Sequence, residues 1–330
     1  MASAHAVYEQ RLVDRQTFLD EAYRSAKVTI PSVVPDSQDI RSRNKPATLE
    51  KPFQSLGARG VNNLSAKLLM TLVPSNSSFF RYIISQEVKD EAAALKQEQE
   101  LSELQSSLAR REARINAEVE LQGLRPKVYQ AVRHLLIAGN VLVYMLPEGG
   151  MRIFPLCSYT AKRDGEGRLL DLIYCEQLDR ETIEDPAVLA ALVLSDASKP
   201  DLKDADRKVV DLWTRVLLED GKYHSWQEIG CEKIEGTDEY WKPELLPWLV
   251  LRYTSIDGED YGRGFVEEYR GDLTSFEQMS RDCQFASANA SKVVWRIRPT
   301  SVLKPKKFME APNGGAVLGD PEDIEAIRLD

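Results

Sequence analysis

The sequence predicts an α+β fold in which a helical first part is followed by antiparallel β-hairpins and then by one long helix. Three observations support this order. Apolar residues recur at helical spacing through the first 140 residues, short β-rich runs separated by glycine-containing turns fill 141–260, and Phe265 to Ser291 keeps helical spacing without proline. With 330 residues and 43% apolar content, the chain is long enough to bury substantial cores.

The first part contains four predicted helices and one predicted strand. Prolines after the first two helices and a Gly-Asn pair after the fourth mark their ends, and a proline in its first turn marks the start of the fourth. The helices are predicted over Ala6 to Lys27, Phe53 to Val73, Glu87 to Gly123, and Arg125 to Gly139. The run Phe79 to Ser85, FFRYIIS, is dense in aromatic and β-branched residues and predicts a strand.

The third helix, Glu87 to Gly123, has two interpretations. Leu101, Leu108 and Ile115 lie seven residues apart, as in a coiled coil, but Arg111 puts a charge where an apolar residue would be needed. We therefore favour a long amphipathic helix packed on a neighbour, with a coiled coil as the alternative.

Residues 141–260 read as strands joined by tight turns, which predicts an antiparallel sheet or a small barrel. An acidic insert at about 179–206, which contains Pro186 and Pro200, is expected to form a partly helical excursion on the surface. The predicted strands are Val141 to Leu146, Met151 to Phe154, Tyr159 to Lys162, Leu169 to Glu176, Lys208 to Leu218, Tyr223 to Ile229, and Leu249 to Tyr253.

The long helix leads into a basic, strand-like segment. At 1.5 Å per residue, Phe265 to Ser291 would extend roughly 40 Å. The segment Lys292 to Met309 contains no acidic residue, although the whole chain has a net charge of -9. Such a block indicates a polyanion or an acidic partner surface. Gly262-Arg263-Gly264 before the helix reads as a flexible lead-in, because it lacks the third glycine of a dinucleotide fingerprint.

Signatures of catalysis are missing from the sequence, which predicts that the protein is not an enzyme and uses no metal or cofactor. His5, His134 and His224 are dispersed, and four scattered cysteines without a CxxC pair are expected to be reduced, buried thiols. Adjacent acids such as Glu267-Glu268 and Glu322-Asp323 leave a magnesium-dependent nucleic-acid enzyme as a rival function. No signal-peptide pattern or 18-residue apolar run occurs, so we expect an intracellular chain without membrane contact.

Four segments, in order, resemble the head-to-tail connector (portal) proteins of short-tailed, podovirus-type bacteriophages. The most extensive is a small-residue helix and turn, SLGARGVNNLSAKLLMTLVPSNSSFF, at Ser55 to Phe80. The other three are VRHLLIAGNVLVYM at Val132 to Met145, YTAKRDGEGRLLDL at Tyr159 to Leu172, and the stretch from YGRGFVEEYRGDLTSFEQ to SKVVWRIRP at Tyr261 to Pro299. Their order and spacing make the resemblance specific.

The resemblance implies a portal-protein fold and a subunit of a ring, typically a dodecamer, at one capsid vertex. Double-stranded DNA would pass through the ring on packaging and ejection, and terminase, tail adaptor, major capsid and scaffolding proteins would be the partners. It implies assembly in the host cytoplasm into the virion. Residues 1–260 would be the wing (helical 1–140, β-rich 141–260), 261–291 the first stem helix and 292–330 a small β-rich clip. Family members continue into a second stem helix and a crown, which this sequence does not reach.

The basic segment supplies the candidate contact residues, and three hypotheses for them stay open. They line the channel mouth, dock an acidic partner face, or pair with Asp320, Glu322, Asp323 or Glu325 of an adjacent subunit. The candidates are Lys292, Arg296, Arg298, Lys304, Lys306 and Lys307. A coiled-coil scaffolding protein, based on Glu87 to Gly123, is the main alternative function.

Overall fold

The structure is a computed structural model that describes residues 3–35, 49–75, 77–87, 90, 98–183, 185–197, 209–290, 293–297, 304–310 and 324–328. The chain divides into two compact units, Met1–Gly271 and Asp272–Asp330. The boundary between the two units falls inside the long helix.

The described residues contain the four helices predicted for the first part and the long helix predicted from Phe265. They also contain a helix in the acidic insert, which was expected to be partly helical, and a short helix in the basic segment, which was predicted to be strand-like. The helices are α1 (Ala4–Lys27), α2 (Leu56–Leu72), α3 (Glu98–Leu121), α4 (Leu124–Ala138), α5 (Pro186–Ala197), α6 (Phe265–Ala290) and α7 (Pro305–Met309). The long helix predicted at Phe265 to Ser291 is therefore confirmed. The predicted end of the fourth helix is confirmed too, because Gly139 follows α4 in the left-handed conformation.

The strands of the first unit form two antiparallel sheets. They are β1 (Asn140–Met145), β2 (Met151–Phe154), β3 (Tyr159–Arg163), β4 (Leu169–Asp179), β5 (Val209–Glu219), β6 (Lys222–Ile229), β7 (Glu232–Lys233), β8 (Glu239–Trp241) and β9 (Trp248–Arg252). One sheet has the order β2-β1-β9, and the other has the order β3-β4-β5-β6-β7 with β8 paired to β6. Both are open within the described chain, so the prediction of an antiparallel sheet is correct and the alternative of a small barrel is not.

Helix α4 covers the three-stranded sheet over two of its strands. Ala131 and Leu135 of α4 pack against Val141 and Val143 of β1 and against Ile153 of β2. Val143 pairs with Ile153 across the sheet, so their side chains point to the same face. The Gly139 turn and the apolar alternation of β1 thus bring the helix back over its own sheet.

The larger sheet is covered on both faces. Tyr8 of α1 packs on Ile173 and Trp213 of one face. Val188 and Leu192 of α5 pack on the other face, in a cluster that also contains Val210, Leu212, Ile229 and Ile234. The expectation that the acidic insert is only a surface excursion is therefore wrong for α5, because its apolar side is part of a core.

Helix α1 is attached to this sheet by buried polar contacts as well. The Glu228 carboxylate accepts hydrogen bonds from the backbone N–H of Ala4 (2.7 Å) and from the Trp226 indole (2.6 Å). Asp171 accepts from Arg11 (2.9 Å) and from Arg215 (2.8 Å). Both carboxylates are buried, so these contacts fix where the helix begins and how it lies on the sheet.

The strand predicted at Phe79 to Ser85 is absent, and this prediction is wrong. The segment runs without regular structure beside α3, where the Tyr82 N–H donates to the Glu112 carboxylate at 2.6 Å. Strand propensity requires a neighbouring strand to complete the hydrogen bonds. The described chain offers none at this position, and a helix side chain takes its place.

The second unit contains the last part of α6 and an antiparallel pair formed by β10 (Val293–Ile297) and β11 (Ile324–Arg328). The short helix α7 lies between these strands in sequence. The strand-like character predicted for the start of the basic segment is confirmed over β10, whereas α7 is a helix.

Candidate functional site

Helix α6 begins at a buried junction between two glycine motifs that lie 122 residues apart in sequence. The side chain of Asn140 makes two hydrogen bonds to the backbone of Gly262. It accepts one from the Gly262 N–H and donates one to the Gly262 carbonyl, each at 2.7 Å. It also donates to the Ala138 carbonyl at 3.0 Å. Asn140 is only 1% exposed, so these bonds are shielded from water and tie the end of α4 to the start of α6.

Backbone hydrogen bonds and close packing complete this junction. Thr254 and Arg263 exchange two backbone hydrogen bonds at 3.2 and 2.8 Å, and the Tyr253 N–H donates to the Gly139 carbonyl at 2.9 Å. Gly139 has a φ of +71°, and a Cβ atom there would lie 2.4 Å from the Arg263 carbonyl carbon. A Cβ on Gly264 would lie 2.6 Å from the Ile137 oxygen. The interpretation of 262–264 as a flexible lead-in is therefore wrong.

Arg263 ties the junction to α1. Its guanidinium donates to Glu259 at 2.7 Å and to Glu267 at 3.2 Å, and its Cζ atom lies 4.8 Å from the centre of the Phe18 ring. The hydrogen bond that Arg263 donates to the Glu259 carboxylate raises the pKa of Arg263 above its ordinary value. About two turns after Arg263, Arg270 of α6 forms an ion pair with Glu21 of α1.

The residues just before the junction cap the edge of β3. The Tyr261 hydroxyl accepts from the Ala161 N–H at 3.0 Å, and Asp260 accepts from the Arg163 N–H at 2.7 Å. Burial raises the pKa of Tyr261 to about 12, so this hydroxyl remains protonated at neutral pH. The Arg163 side chain reaches the Val250 carbonyl of β9 at 2.7 Å and so bridges the two sheets.

The predicted basic contact residues are described only in part. Lys304 and Lys306 are exposed. Lys306 and Lys307 belong to the short helix α7, which begins directly after Lys304. Arg296 lies in β10 opposite Glu325 of β11, which puts one of the predicted acidic partners next to it within the same chain. Lys292 and Arg298 lie outside the described residues, as do Asp320, Glu322 and Asp323.

The described residues offer no centre for metal-dependent chemistry. No group of three or more His, Cys, Asp or Glu residues in the described part is arranged to hold a metal ion. Of the adjacent acids Glu267-Glu268, Glu267 forms an ion pair with Arg263. The adjacent acids Glu322-Asp323 lie outside the described part of the chain. The rival interpretation as a magnesium-dependent enzyme therefore gains no support.

All four cysteines are free, as predicted, but the expectation that they are buried is wrong: Cys157 and Cys175 are partly exposed, and Cys231 and Cys283 are exposed. No described helix combines the length and apolarity that crossing a bilayer requires.

Sequence reasoning missed the role of Asn140. It identified the Gly139-Asn140 pair only as a helix end and the Gly262-Arg263-Gly264 motif only as a loop, because a contact over 122 residues has no local signal. The one available signal was the presence of both motifs among the ordered segments of the family resemblance.

Comparison with known proteins identifies the family. The family described as "Bacteriophage head to tail connecting protein" matches residues 2–328. The chain therefore belongs to the bacteriophage head-to-tail connecting proteins, which confirms the resemblance. A connecting protein, and not an enzyme, is also what the sequence predicted.

Individual relatives are portal proteins of phages. The chain is 30% identical to the portal protein of Escherichia phage T7 and 30% identical to that of Enterobacteria phage T3, in each case over 99% of this chain and 60% of the relative. It is 28% identical to the portal protein of Enterobacteria phage SP6, over 98% of this chain and 60% of the relative. The chain thus spans three fifths of the length of these relatives.

Proposed function

We propose that the chain is a portal subunit that assembles into a ring, typically of twelve copies, at one vertex of a phage capsid. Double-stranded DNA would pass through the ring during packaging and ejection. The observation that carries the proposal is the match to connecting proteins over residues 2–328, together with the similarity to portal proteins over nearly the whole chain. The alternative of a coiled-coil scaffolding protein has no comparable support.

The proposal assigns parts of the chain to parts of a portal. Residues 1–260 would form the wing, 261–291 the first stem helix and 292–330 the clip. The 26 residues of α6 support the assignment, because a helix of this length extends roughly 40 Å. Such a helix can act as a strut between the two ends of a ring.

The clip would be the docking point for terminase during packaging and for the tail adaptor afterwards. The wing would meet the major capsid protein and the scaffolding protein. The protein would be assembled in the host cytoplasm and would then lie at one vertex of the phage particle.

The basic segment would guide DNA or hold an acidic partner. A channel for any DNA sequence needs attraction to phosphates that is strong enough to guide and weak enough to release. Salt-dependent contacts from lysine and arginine have this property. Exposed Lys304 and Lys306 are the best-described candidates, and Lys292, Arg296, Arg298 and Lys307 complete the set. The net charge of -9 keeps the rest of the subunit from adhering to DNA.

Electron microscopy of the purified protein tests the portal assignment. Rings with an axial hole are expected. An elongated particle without a hole would favour the scaffolding alternative, and a compact monomer at high protein concentration would contradict the portal assignment.

A further inference from the structure

One edge of the larger sheet is closed by residues 230–241, which we call the strap. The strap contains β7, which pairs with Glu228 and Ile229 of β6, and β8, which pairs with residues 223–225 of β6. The other side of β6 pairs with β5. The strap therefore covers backbone groups of β6 that would otherwise lie unpaired at the edge of the sheet.

The β8 end of the strap is attached to β6 largely by side chains. The Trp241 indole donates a hydrogen bond to the Ser225 hydroxyl at 3.2 Å. The Tyr240 ring stacks on the His224 ring, with 4.5 Å between the ring centres and 6° between the ring planes. A contact made by His224 therefore acts directly on this end of the strap.

The His224 imidazole lies between two carboxylates that belong to different parts of the fold. Its Nε2 atom is 2.7 Å from Asp238, which belongs to the strap, and its Nδ1 atom is 3.5 Å from Glu219, which ends β5 in the sheet. The imidazole is 11% exposed. One nitrogen thus faces the strap, and the other faces the sheet that the strap covers.

The hydrogen bonds define which nitrogen carries the proton when His224 is neutral. The hydrogen bond from Lys233 lowers the pKa of Asp238, so the Asp238 carboxylate is ionised at neutral pH and only accepts hydrogen bonds. Nε2 must therefore be the donor to Asp238. In a neutral ring, Nδ1 is then an acceptor that faces a second acceptor, Glu219.

Nδ1 is the atom that this arrangement leaves unsatisfied. It is buried and has no hydrogen-bond partner within the described chain, although the Glu219 carboxylate lies next to it. A proton on Nδ1 would convert it into a donor toward Glu219 while Nε2 keeps its bond to Asp238. The geometry therefore suits the charged imidazolium better than the neutral ring.

The other charged side chains of the neighbouring elements make no ion pair with His224 in the described chain. Arg215 of β5 lies opposite Trp226 and not opposite His224, and its charge is paired with Asp171. The groups around the ring, apart from Glu219, Asp238 and this pair, are Lys222 of β6, Lys233 of β7, Glu239 and Tyr240 of β8, and Arg11 of α1, which also pairs with Asp171.

We propose that the strap is a pH-sensitive closure, which protonation of His224 fastens to β6 and deprotonation loosens. Histidine side chains ordinarily change charge between about pH 8 and 5. The imidazolium would bind Asp238 of the strap and Glu219 of the sheet at once, with charge-assisted hydrogen bonds on both sides. The closed strap therefore gains stability as the pH falls through this range and loses it as the pH rises. The proposal does not depend on the portal assignment.

Hydrogen–deuterium exchange with mass spectrometry on the full 330-residue chain tests the closure. Exchange is measured at pH 8 and pH 6, and each rate is divided by the intrinsic rate at that pH. We expect the amides of residues 223–225 and 236–241 to be protected about tenfold more at pH 6, because one more hydrogen bond to a charged group holds the strap. The amides of β3 and β4, which do not contact the strap in the sheet order, are the internal reference.

Two substitutions separate the roles of the ring and of its second carboxylate. His224→Gln keeps a donor for Asp238 but takes up no proton, so the protection of the strap should become equal at the two pH values. Glu219→Gln removes the carboxylate that faces Nδ1 and should reduce the difference. The matched control is His5→Gln, because the side chain of His5 is about half exposed and its ring contacts Trp213. The control should keep the full difference.

Several results would overturn the closure. They are equal protection of the strap at pH 8 and pH 6 in the unmodified protein, lower protection at pH 6, and an unchanged pH difference in His224→Gln or in Glu219→Gln. Circular dichroism verifies that each variant is folded. If His224→Gln does not fold, Glu219→Gln decides the question, because the Glu219 side chain is 36% exposed and lies near a turn.

Discussion

At the scale of single residues, Asn140 shows how one side chain can satisfy backbone groups that lie outside regular secondary structure. Its amide has a donor and an acceptor side, and the backbone of Gly262 offers one acceptor and one donor in return. The amide of asparagine or glutamine places a donor and an acceptor side by side, and the shorter side chain of asparagine suits the close approach of the glycines. The position is therefore defined by hydrogen-bond chemistry as well as by size.

We predict that Asn140→Ala destabilises the first unit by about 3 kcal/mol, because buried backbone groups lose their partners. Asn140→Asp should cost more, since a carboxylate cannot donate to the Gly262 and Ala138 carbonyls. Urea unfolding measures both values. The control is Asn62→Ala, because Asn62 is exposed and its bond to the Tyr129 hydroxyl is 3.3 Å long. Equal unfolding midpoints for the Asn140 and Asn62 variants would show that the junction does not contribute.

Acid sensitivity is expected to arise at His134. Burial, with a smaller contribution from the charge of Arg133, lowers the pKa of His134 to about 4, and the residue is 5% exposed. An unfolded histidine has a pKa of about 6.5. Between about pH 6.5 and 4, the histidine is therefore protonated in the unfolded chain but still neutral in the folded chain. The free energy of unfolding falls by up to about 3 kcal/mol as the pH falls through this window.

Urea unfolding at pH 7 and pH 5 tests this expectation. His134→Leu should lose less stability between the two pH values than the unmodified protein does. His5→Gln is the control, because the side chain of His5 is about half exposed. An identical pH dependence in all three proteins would contradict the assignment.

At the scale of elements, helices were predicted well and isolated extended segments were not. The periodicity of residues 265–291 contained all the information needed for α6, because a helix completes its hydrogen bonds locally. The strand predicted at Phe79 to Ser85 failed, because a strand depends on a neighbour that the local sequence does not reveal. The Gly262-Arg263-Gly264 motif failed for the same reason, since the partner of Gly262 is 122 residues away.

Two glycines at the start of α6 should respond oppositely to alanine. Gly264→Ala should destabilise by roughly 2 kcal/mol, because the added methyl group would meet the Ile137 carbonyl. Gly271→Ala should stabilise by about 1 kcal/mol, because an added methyl group there has open space and alanine favours a helix. Thermal unfolding of both variants measures the two signs. Stabilisation by Gly264→Ala would show that the junction is looser than described.

At the scale of the whole molecule, the composition and the order of the motifs predicted the α+β class and the family, but not which large apolar side chains stay exposed. The ordered motifs cover the chain, and the family match over residues 2–328 confirms what they indicated. These exposed side chains were not predictable, because exposure depends on which face the folded chain leaves open. The exposure of Ile83, for example, follows from the missing strand partner and not from its own sequence.

The basic segment gives a prediction for binding to DNA. Lys304→Gln, Lys306→Gln and Lys307→Gln together should reduce the slope of the logarithm of the DNA association constant against that of salt concentration by up to about 3, because each phosphate contact contributes about 0.9. Binding titrations over a range of salt concentrations measure this slope.

The matched control replaces three exposed lysines of the first unit, Lys51, Lys67 and Lys222, and changes the net charge equally. If both triple variants change the slope alike, the effect belongs to net charge, and the assignment of DNA contacts to the clip fails. Unchanged slopes in both would contradict a contact with DNA and leave docking of an acidic partner or pairing with acidic residues of an adjacent subunit as the role of these lysines.

The buried junction at Asn140 also affects which substitutions such a protein can accept over time. Because the amide recognises only main-chain atoms of Gly262, substitutions in the surrounding loops leave the recognition intact as long as the backbone path is kept. Side chains that make no contact in the junction can therefore change while the hydrogen bonds between Asn140 and Gly262 are kept.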